Sequence, residues 1–257
     1  MHADQQPYRT LYDDMLDYDG SDLYRDVVQP WLREQDGERR WLDAFAARRG
    51  SPVPVASIED RWHLYAFSRI VELLQLSFSP TPYHPGTWGT KSIGAEDYAE
   101  LMSFFGLQRI DVAAFHPFFH EVVSVDPKPG PVTITKEYWH AYMLGPLMIT
   151  RAGCAVAGDL NKDIAENSTL YWSFARRNRP TIDLSNGWGS NSQWRTEFRR
   201  DYLLEGARYY NVDGDGRERL EELTPEERVE LLRHRCFVNC AKPDKDLWPY
   251  EERLVEP

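Results

Sequence analysis

The stretch "IEDRWHLYAFSRIVELLQLSF", residues 58–78, carries the clearest structural signal in the sequence. Ser57 and Asp60 form the S-x-x-D pattern that caps a helix N-terminus, so a helix is predicted to begin at Ile58. At about 100° per residue, four polar side chains fall in one narrow sector: Arg61, Ser68, Glu72 and Gln75. Apolar side chains occupy much of the remaining surface, and a helix of this kind is normally covered on several sides. We therefore expect it to be the central scaffold of the fold.

Further helices are predicted on both sides of this one. Ser21 can cap a helix through about Gln29, which Pro30 ends or kinks. The stretch "ERRWLDAFAARRG" predicts a second helix that Gly50 closes, and "AEDYAELMSFFG", residues 95–106, predicts another.

Strand signals come later in the chain. Alternation in "FFHEVVSVDP", residues 118–127, predicts a strand, and "GPVTIT", residues 130–135, is its expected hairpin partner. "KEYWHAYML", residues 136–144, predicts a short helix. "LMITRAGCAVAG", residues 147–158, fits either a buried strand or a helix tail, and "ARYY" predicts a strand near 207–212.

Together these patterns predict an α+β fold, predominantly helical with a small antiparallel sheet. We expect one compact domain over residues 1–257, with a helical N-terminal half at about 1–110 and a mixed α/β C-terminal half at about 111–257. At 257 residues and 30.0 kDa the chain is long enough to bury a sizeable core.

Composition limits the classes of function. The net charge of −11 argues against a nucleic-acid or anionic-membrane binder, because phosphate contacts need lysine and arginine. No apolar run approaches the roughly 18–20 residues that span a bilayer. Three cysteines form no disulfide framework, and the N-terminus shows no secretory signal. We therefore expect a soluble cytoplasmic protein.

Residues 151–210 form a locally basic stretch, with nine basic and seven acidic side chains. It contains "NGWGSNSQWR", residues 186–195, in which Ser190 and Gln193 match a capping box. A helix is predicted to begin at Asn191 and to end before Gly206. Its N-terminal N–H groups, the glycines and the arginines predict a site for a small anionic or planar ligand. The expected ligand-binding residues are Trp188, Gly189, Ser190, Asn191, Trp194, Arg195, Arg199 and Trp88. In the alternative interpretation, the aromatic side chains are a core stripe and the arginines pair with the protein's own carboxylates.

A long Pro/Gly-rich loop, residues 79–94, is expected to close over this ligand. The catalytic residues stay unknown, and the candidates for acid–base chemistry are His84, Lys91 and Glu72.

Two other groups of residues match metal ligands. The loop "NVDGDGRERLEE" resembles an EF-hand calcium loop, with Asn211, Asp213, Asp215 and Glu222 as its ligands. Its alternative is a tight turn between "ARYY" and a helix over 225–236. The segment "HPFFHE" supplies His116, His120 and Glu121, with His140 downstream, as donors suited to zinc or iron. Partly buried histidines with satisfied hydrogen bonds are the favoured interpretation there, and no metal is assigned.

Two functions follow. The first is a protein that binds a small anionic or planar ligand, with enzymatic activity left open and no cofactor assigned. The alternative is a non-catalytic inhibitor or immunity-type protein, whose acidic surface engages a basic protein partner. Its acidic residues are Asp13, Asp14, Asp17, Asp19, Asp22 and Asp26.

Overall fold

The structure, a computed structural model, describes residues 6–80, 92–160, 197–214 and 253–257. These residues fall into two units, which divide between Gln108 and Arg109. Glu197 and Phe198 belong to the first unit, and the described residues from Arg199 onwards belong to the second. All helices in the described ranges lie in the first unit.

The first unit is built from helices. Within the described ranges these are α1 (Gln6–Asp17), α2 (Gln29–Leu32), α3 (Asp36–Ala46), α4 (Ile58–Gln75) and α5 (Ala95–Phe104). A π-helical turn, Tyr24–Val28, runs directly into α2. The helix predicted through about Gln29 ends close to that position, at Val28, and Pro30 lies in the first turn of α2, which follows it. A proline is tolerated there, since the first N–H groups of a helix have no partner within it.

The helix α4 confirms the prediction of a central, capped helix. The Ser57 main-chain N–H donates to Oδ2 of Asp60 (2.8 Å), and the Asp60 N–H donates to Oγ of Ser57 (3.1 Å). This reciprocal pair satisfies two N–H groups that the helix itself leaves without acceptors. Eleven of the eighteen residues of α4 are buried, so neighbouring elements cover it on several sides.

Asp60 has a second role, in tying α4 to the chain that follows α3. The Arg48 guanidinium donates to both of its carboxylate oxygens, with 2.9 Å between Nη2 and Oδ1. Burial raises the pKa of Asp60, but the hydrogen bonds from Arg48 and Ser57 outweigh burial, and the pKa lies below its usual value. The ionised form of this carboxylate therefore stabilises the first unit.

Aromatic rings fill the space between α1 and α4. Phe67 of α4 meets Tyr8 of α1 (5.7 Å between ring centroids) and packs edge-on against Phe105 (4.9 Å). The His63 ring stacks on Trp41 at 3.9 Å. Aromatic pairs of this kind add roughly 0.5–1.5 kcal/mol each beyond the area they bury, so this cluster is a main source of stability in the unit.

Strands form the second unit. The first of them, β1, begins at Gln108, which is counted in the first unit. The strands are β1 (Gln108–Ile110), β2 (His120–Pro127), β3 (Thr133–Trp139), β4 (Ala141–Leu144), β5 (Leu147–Thr150), β6 (Ala152–Gly158), β7 (Tyr202–Leu204), β8 (Ala207–Tyr210) and β9 (Leu254–Glu256). Six form an antiparallel sheet in the order β1-β4-β5-β7-β8-β9, and three form a second sheet in the order β2-β6-β3.

The central strand of the smaller sheet is β6, which runs parallel to β2 and antiparallel to β3. The predicted hairpin of residues 118–127 with 130–135 is therefore wrong, because β6 lies between the two strands. Six of the seven β6 residues are buried, as in a central strand with both faces covered. A Cβ atom at Gly153 would come within 2.2 Å of the Trp139 ring, so a glycine is needed where that ring crosses the strand.

Two hydrophobic clusters stabilise the sheets. The larger sheet packs around Phe118, Phe119, Met143, Met148 and Tyr210. The smaller sheet packs around Val122, Val125, Cys154 and Val156. Burial, followed by nearby carboxylates, raises the pKa of the Cys154 thiol to about 12, so this buried cysteine packs as a neutral side chain.

These strands correct the predicted fold class. Residues 136–144 were expected to form a helix, but 136–139 lie in β3 and 141–144 form β4, as their aromatic content favours. Of the described residues, 38% are helical and 27% are in strands. A predominantly helical fold with a small sheet is therefore wrong. None of the helices within the described ranges has the length and hydropathy that a bilayer crossing requires.

Candidate functional site

Only one of the predicted ligand-binding residues, Arg199, lies in the described part of the chain. Trp88 and residues 188–195 fall outside it. The helix predicted over 191–205 is wrong for residues 197–205, where an irregular segment leads into β7. Its main-chain groups bond to other segments: the Phe198 N–H donates to the Arg61 carbonyl (3.1 Å), and the Leu203 N–H donates to the Pro146 carbonyl (2.9 Å). Pairing with distant segments therefore replaces the helical hydrogen bonds expected there.

Arg199 belongs to a group that we call the arginine–carboxylate cluster: Arg151, Arg199, Arg200, Asp201 and Asp213. Asp201 is its centre and is 2% exposed. Oδ1 of Asp201 accepts hydrogen bonds from Nε of Arg199 (3.2 Å) and from the Asn211 main-chain N–H (2.7 Å), while Oδ2 accepts from Nη2 of Arg151. Two guanidinium groups and one amide thus converge on a single carboxylate.

The second half of the cluster is a two-point ion pair. Nε and Nη2 of Arg200 donate to the two carboxylate oxygens of Asp213, each at 2.7 Å. Nη1 of Arg200 donates to the Tyr202 hydroxyl (2.9 Å). This fork-to-fork geometry is the strongest arrangement of an arginine with a carboxylate, so it fixes the turn after β8 to the segment before β7.

Burial gives these charges a structural role. Burial lowers the pKa of Arg151, Asp201 opposes that effect, and Arg199 lowers the pKa further. A buried charge is tolerated when an opposite charge and hydrogen bonds compensate for lost water. Asp201 supplies both, and it links the junction of β5 and β6 to the start of β7. For Arg199 the structure therefore agrees with pairing to the protein's own carboxylates.

The loop that resembles an EF-hand begins as a tight turn. Asn211 has a φ of 51°, and the Gly214 N–H donates to the Asn211 carbonyl (2.9 Å). Both carboxylate oxygens of Asp213 accept from Arg200, so a calcium ion would have to displace a guanidinium. Asp215 and Glu222 lie outside the described residues, and calcium binding stays a prediction.

Of the acid–base candidates, Glu72 lies on α4, 3.8 Å from Nη1 of Arg69. His84 and Lys91 lie outside the described residues. The role of Glu72 as an acid or base stays a prediction.

The histidines of "HPFFHE" bind main-chain groups. The strand predicted from residue 118 begins only at His120, because a turn brings the His120 N–H to the His116 carbonyl (2.9 Å). Nδ1 of His116 accepts from the Phe118 N–H (3.1 Å), and Nε2 of His120 lies 3.1 Å from the Val112 carbonyl. Burial lowers the pKa of His120, so its ring is held neutral. These contacts agree with partly buried histidines whose hydrogen bonds are satisfied.

A different set, which we call the histidine–carboxylate cluster, comprises Asp111, Glu137 and His140. One ligand atom from each lies within 4.8 Å of the others. Nδ1 of His140 contacts Oε1 of Glu137, and Nε of Arg109 donates to Oδ1 of Asp111 (2.7 Å). These three residues were not predicted to lie together. The only local signal was the three-residue spacing of Glu137 and His140, in a segment predicted to be helical.

Comparisons with protein-family models, with curated proteins and with solved structures find no significant match to this chain. Function must therefore be inferred from the residues themselves.

Proposed function

We propose that the protein binds a small anionic ligand, bearing a carboxylate or a phosphate, next to the arginine–carboxylate cluster. The observation that carries this proposal is the convergence of Arg151, Arg199 and the Asn211 N–H on one carboxylate. Guanidinium groups held in fixed positions bind anions with little loss of side-chain freedom. The basic composition of residues 151–210, which include the predicted ligand residues 188–195, also supports it.

Arg199 is the member of the cluster that a ligand can recruit. Asp201 also accepts hydrogen bonds from Arg151 and from Asn211. If Arg199 turned to a ligand, Asp201 would keep a guanidinium and an amide as partners. Competition between Asp201 and the ligand for Arg199 then sets the affinity. We further propose a cytoplasmic location, because the three cysteines suit a reducing compartment.

A thermal-shift screen tests this function, with inorganic phosphate, sugar phosphates, nucleotides and dicarboxylates as probes. A ligand at one hundred times its Kd raises the free energy of unfolding by about 2.7 kcal/mol. Arg199→Met and Arg195→Ala should each abolish the response, and Arg109→Met is the matched control because Arg109 is half-exposed at a different site. Equal responses in wild type and Arg199→Met, or silence across the panel, would contradict the proposal.

The acidic surface of α1 favours a second candidate, binding to a basic protein. Asp13, Asp14 and Asp17 are exposed on this helix. Burial raises the pKa of Asp13, Arg9 opposes it, and Asp17 and Asp14 raise it further, so the carboxylates lie close enough to repel one another. A cationic partner would relieve that repulsion.

Polylysine is a suitable probe of this second candidate. Wild type should bind it at low salt and lose it at high salt, because surface charges are screened. Replacing the three carboxylates by asparagine should remove this binding, and Asp126→Asn, at an exposed position of β2, should not. Equal binding by the triple variant would exclude α1 as the contact surface.

A further inference from the structure

The histidine–carboxylate cluster brings an imidazole and two carboxylates to one place in the second unit. From this juxtaposition we infer that Asp111, Glu137 and His140 form a binding site for one divalent transition-metal ion. The site shares no residue with the arginine–carboxylate cluster. An experiment can therefore refute this metal site without refuting the proposed ligand function, and the reverse also holds.

The fold explains how Asp111 meets Glu137 and His140, which are distant from it in sequence. Glu137 lies near the end of β3, and His140 occupies the single position between β3 and β4. Asp111 directly follows β1, and β1 is the neighbour of β4 in the larger sheet. Strand pairing thus brings Asp111 to the junction of β3 and β4, where the other two ligands lie three residues apart.

The spacing of the ligand atoms suits a metal after a small adjustment. Metal–nitrogen and metal–oxygen bonds of about 2.1 Å place two ligands of a tetrahedral ion about 3.4 Å apart. The three atoms lie within 4.8 Å of one another. Side-chain rotations that move these atoms by about an ångström would therefore bring them to the spacing that an ion requires. The contact between His140 and Glu137 must lengthen for an ion to bind between the two side chains.

Arg109 fits around the site as an outer partner. Its Nε donates to Oδ1 of Asp111 at 2.7 Å, so Oδ2 is the oxygen that we assign to the ion. An outer hydrogen bond of this kind orients a ligating carboxylate and is common around metal centres. Two carboxylates also balance the charge of a divalent ion.

The mixed donor set selects the class of ion. Imidazole nitrogen is a poor ligand for Mg²⁺ and Ca²⁺, which prefer oxygen, and the absence of thiolate from this set disfavours Cu⁺. Zn²⁺, Mn²⁺ and Fe²⁺ accept one imidazole with two carboxylates. Three protein ligands leave a coordination position for water, and the side chains are exposed or half-exposed, so an ion can reach them from solvent.

Titration of the metal-free full chain with Zn²⁺, by calorimetry, tests the site. We expect Asp111→Asn, Glu137→Gln and His140→Gln each to lower the affinity for one Zn²⁺ ion by at least about tenfold. Even the loss of an outer partner lowers metal affinity by about 10–100-fold. Asp126→Asn removes an exposed carboxylate from the same unit and should leave binding unchanged. Circular dichroism checks that each variant is folded.

The imidazole signals of wild type provide an independent measurement, which needs no variant. Zn²⁺ should shift the ring nitrogen resonance of His140 and should leave those of His116 and His120 in place. Unchanged Zn²⁺ affinity and stoichiometry in all three variants would overturn this metal site. An unshifted His140 resonance at saturating Zn²⁺ would also overturn it.

Discussion

Replacing Asp201 by asparagine gives the sharpest test of how the second unit is held together. Asparagine keeps the shape of the side chain but removes the negative charge that faces Arg151 and Arg199. Both arginines are buried, and Asp201 is 2% exposed. Removing one partner from a buried ion pair costs about 3–5 kcal/mol, because the remaining charge loses its compensation. Typical domains have a total stability of about 5–15 kcal/mol, so the variant should lose a substantial part of its free energy of unfolding.

Urea denaturation followed by circular dichroism and tryptophan fluorescence measures this loss. Asp126→Asn is the matched control, because Asp126 is an exposed carboxylate of the same unit, and it should change stability by no more than about 0.5 kcal/mol. Arg199→Met in both backgrounds completes a double-mutant cycle, in which a coupling free energy above about 0.5 kcal/mol is expected for residues in contact. A loss below about 1 kcal/mol for Asp201→Asn would refute a central role for this carboxylate.

Three other predictions follow from packing and ionisation. Gly153→Ala should lower the free energy of unfolding by about 1–3 kcal/mol, because the new methyl group would displace the Trp139 ring. Gly37→Ala is the control, because a Cβ atom there meets no atom within 4 Å. Equal midpoints of urea unfolding for Gly153→Ala and wild type would contradict the close contact of Gly153 with Trp139. Cys154 should resist alkylation at pH 8 until the chain unfolds, as peptide mass spectrometry can show, and its raised pKa should lower the free energy of unfolding between about pH 9 and 12, where only the unfolded chain releases the proton. The lowered pKa of Asp60 stabilises the fold at pH values above the pKa of this group in the unfolded chain, and this stabilisation is lost as the pH falls through the folded-state pKa. The destabilisation caused by Asp60→Asn should therefore shrink in acid. A difference in the free energy of unfolding between wild type and Asp60→Asn that stays constant from pH 7 to 3 would be inconsistent with the lowered pKa.

The helices of the first unit were predictable because their signals are local. The Ser57–Asp60 cap and the apolar surface of α4 are both encoded within one stretch of chain, and both are present in the structure. Pro30 was expected only to end or kink a helix, and it also lies in the first turn of the helix that follows. The same residue type permits both outcomes, and the packing of neighbouring segments decides between them.

The strands of the second unit were harder to predict. The strands β4, β5, β7, β8 and β9 are three or four residues long, too short to show a clear alternation. The supposed partner of β2 was the next strand along the chain, whereas its actual neighbour is β6. Strand pairing is a long-range choice, and no residue in β2 encodes which strand it will adjoin.

The sites show the same contrast. The amino-acid sequence alone determined that the chain is acidic, that residues 151–210 are rich in arginine and that α4 is a capped, largely buried helix. Tertiary structure decided that Arg199 faces Asp201, that Asp213 binds Arg200 and that Asp111 lies beside Glu137 and His140. Helix caps and periodicity depend on residues within a few positions of one another, so composition and spacing reveal them. The ion pair of Arg151 with Asp201 and the meeting of Asp111 with Glu137 and His140 depend on segments that are distant in sequence, and only folding brings those side chains together.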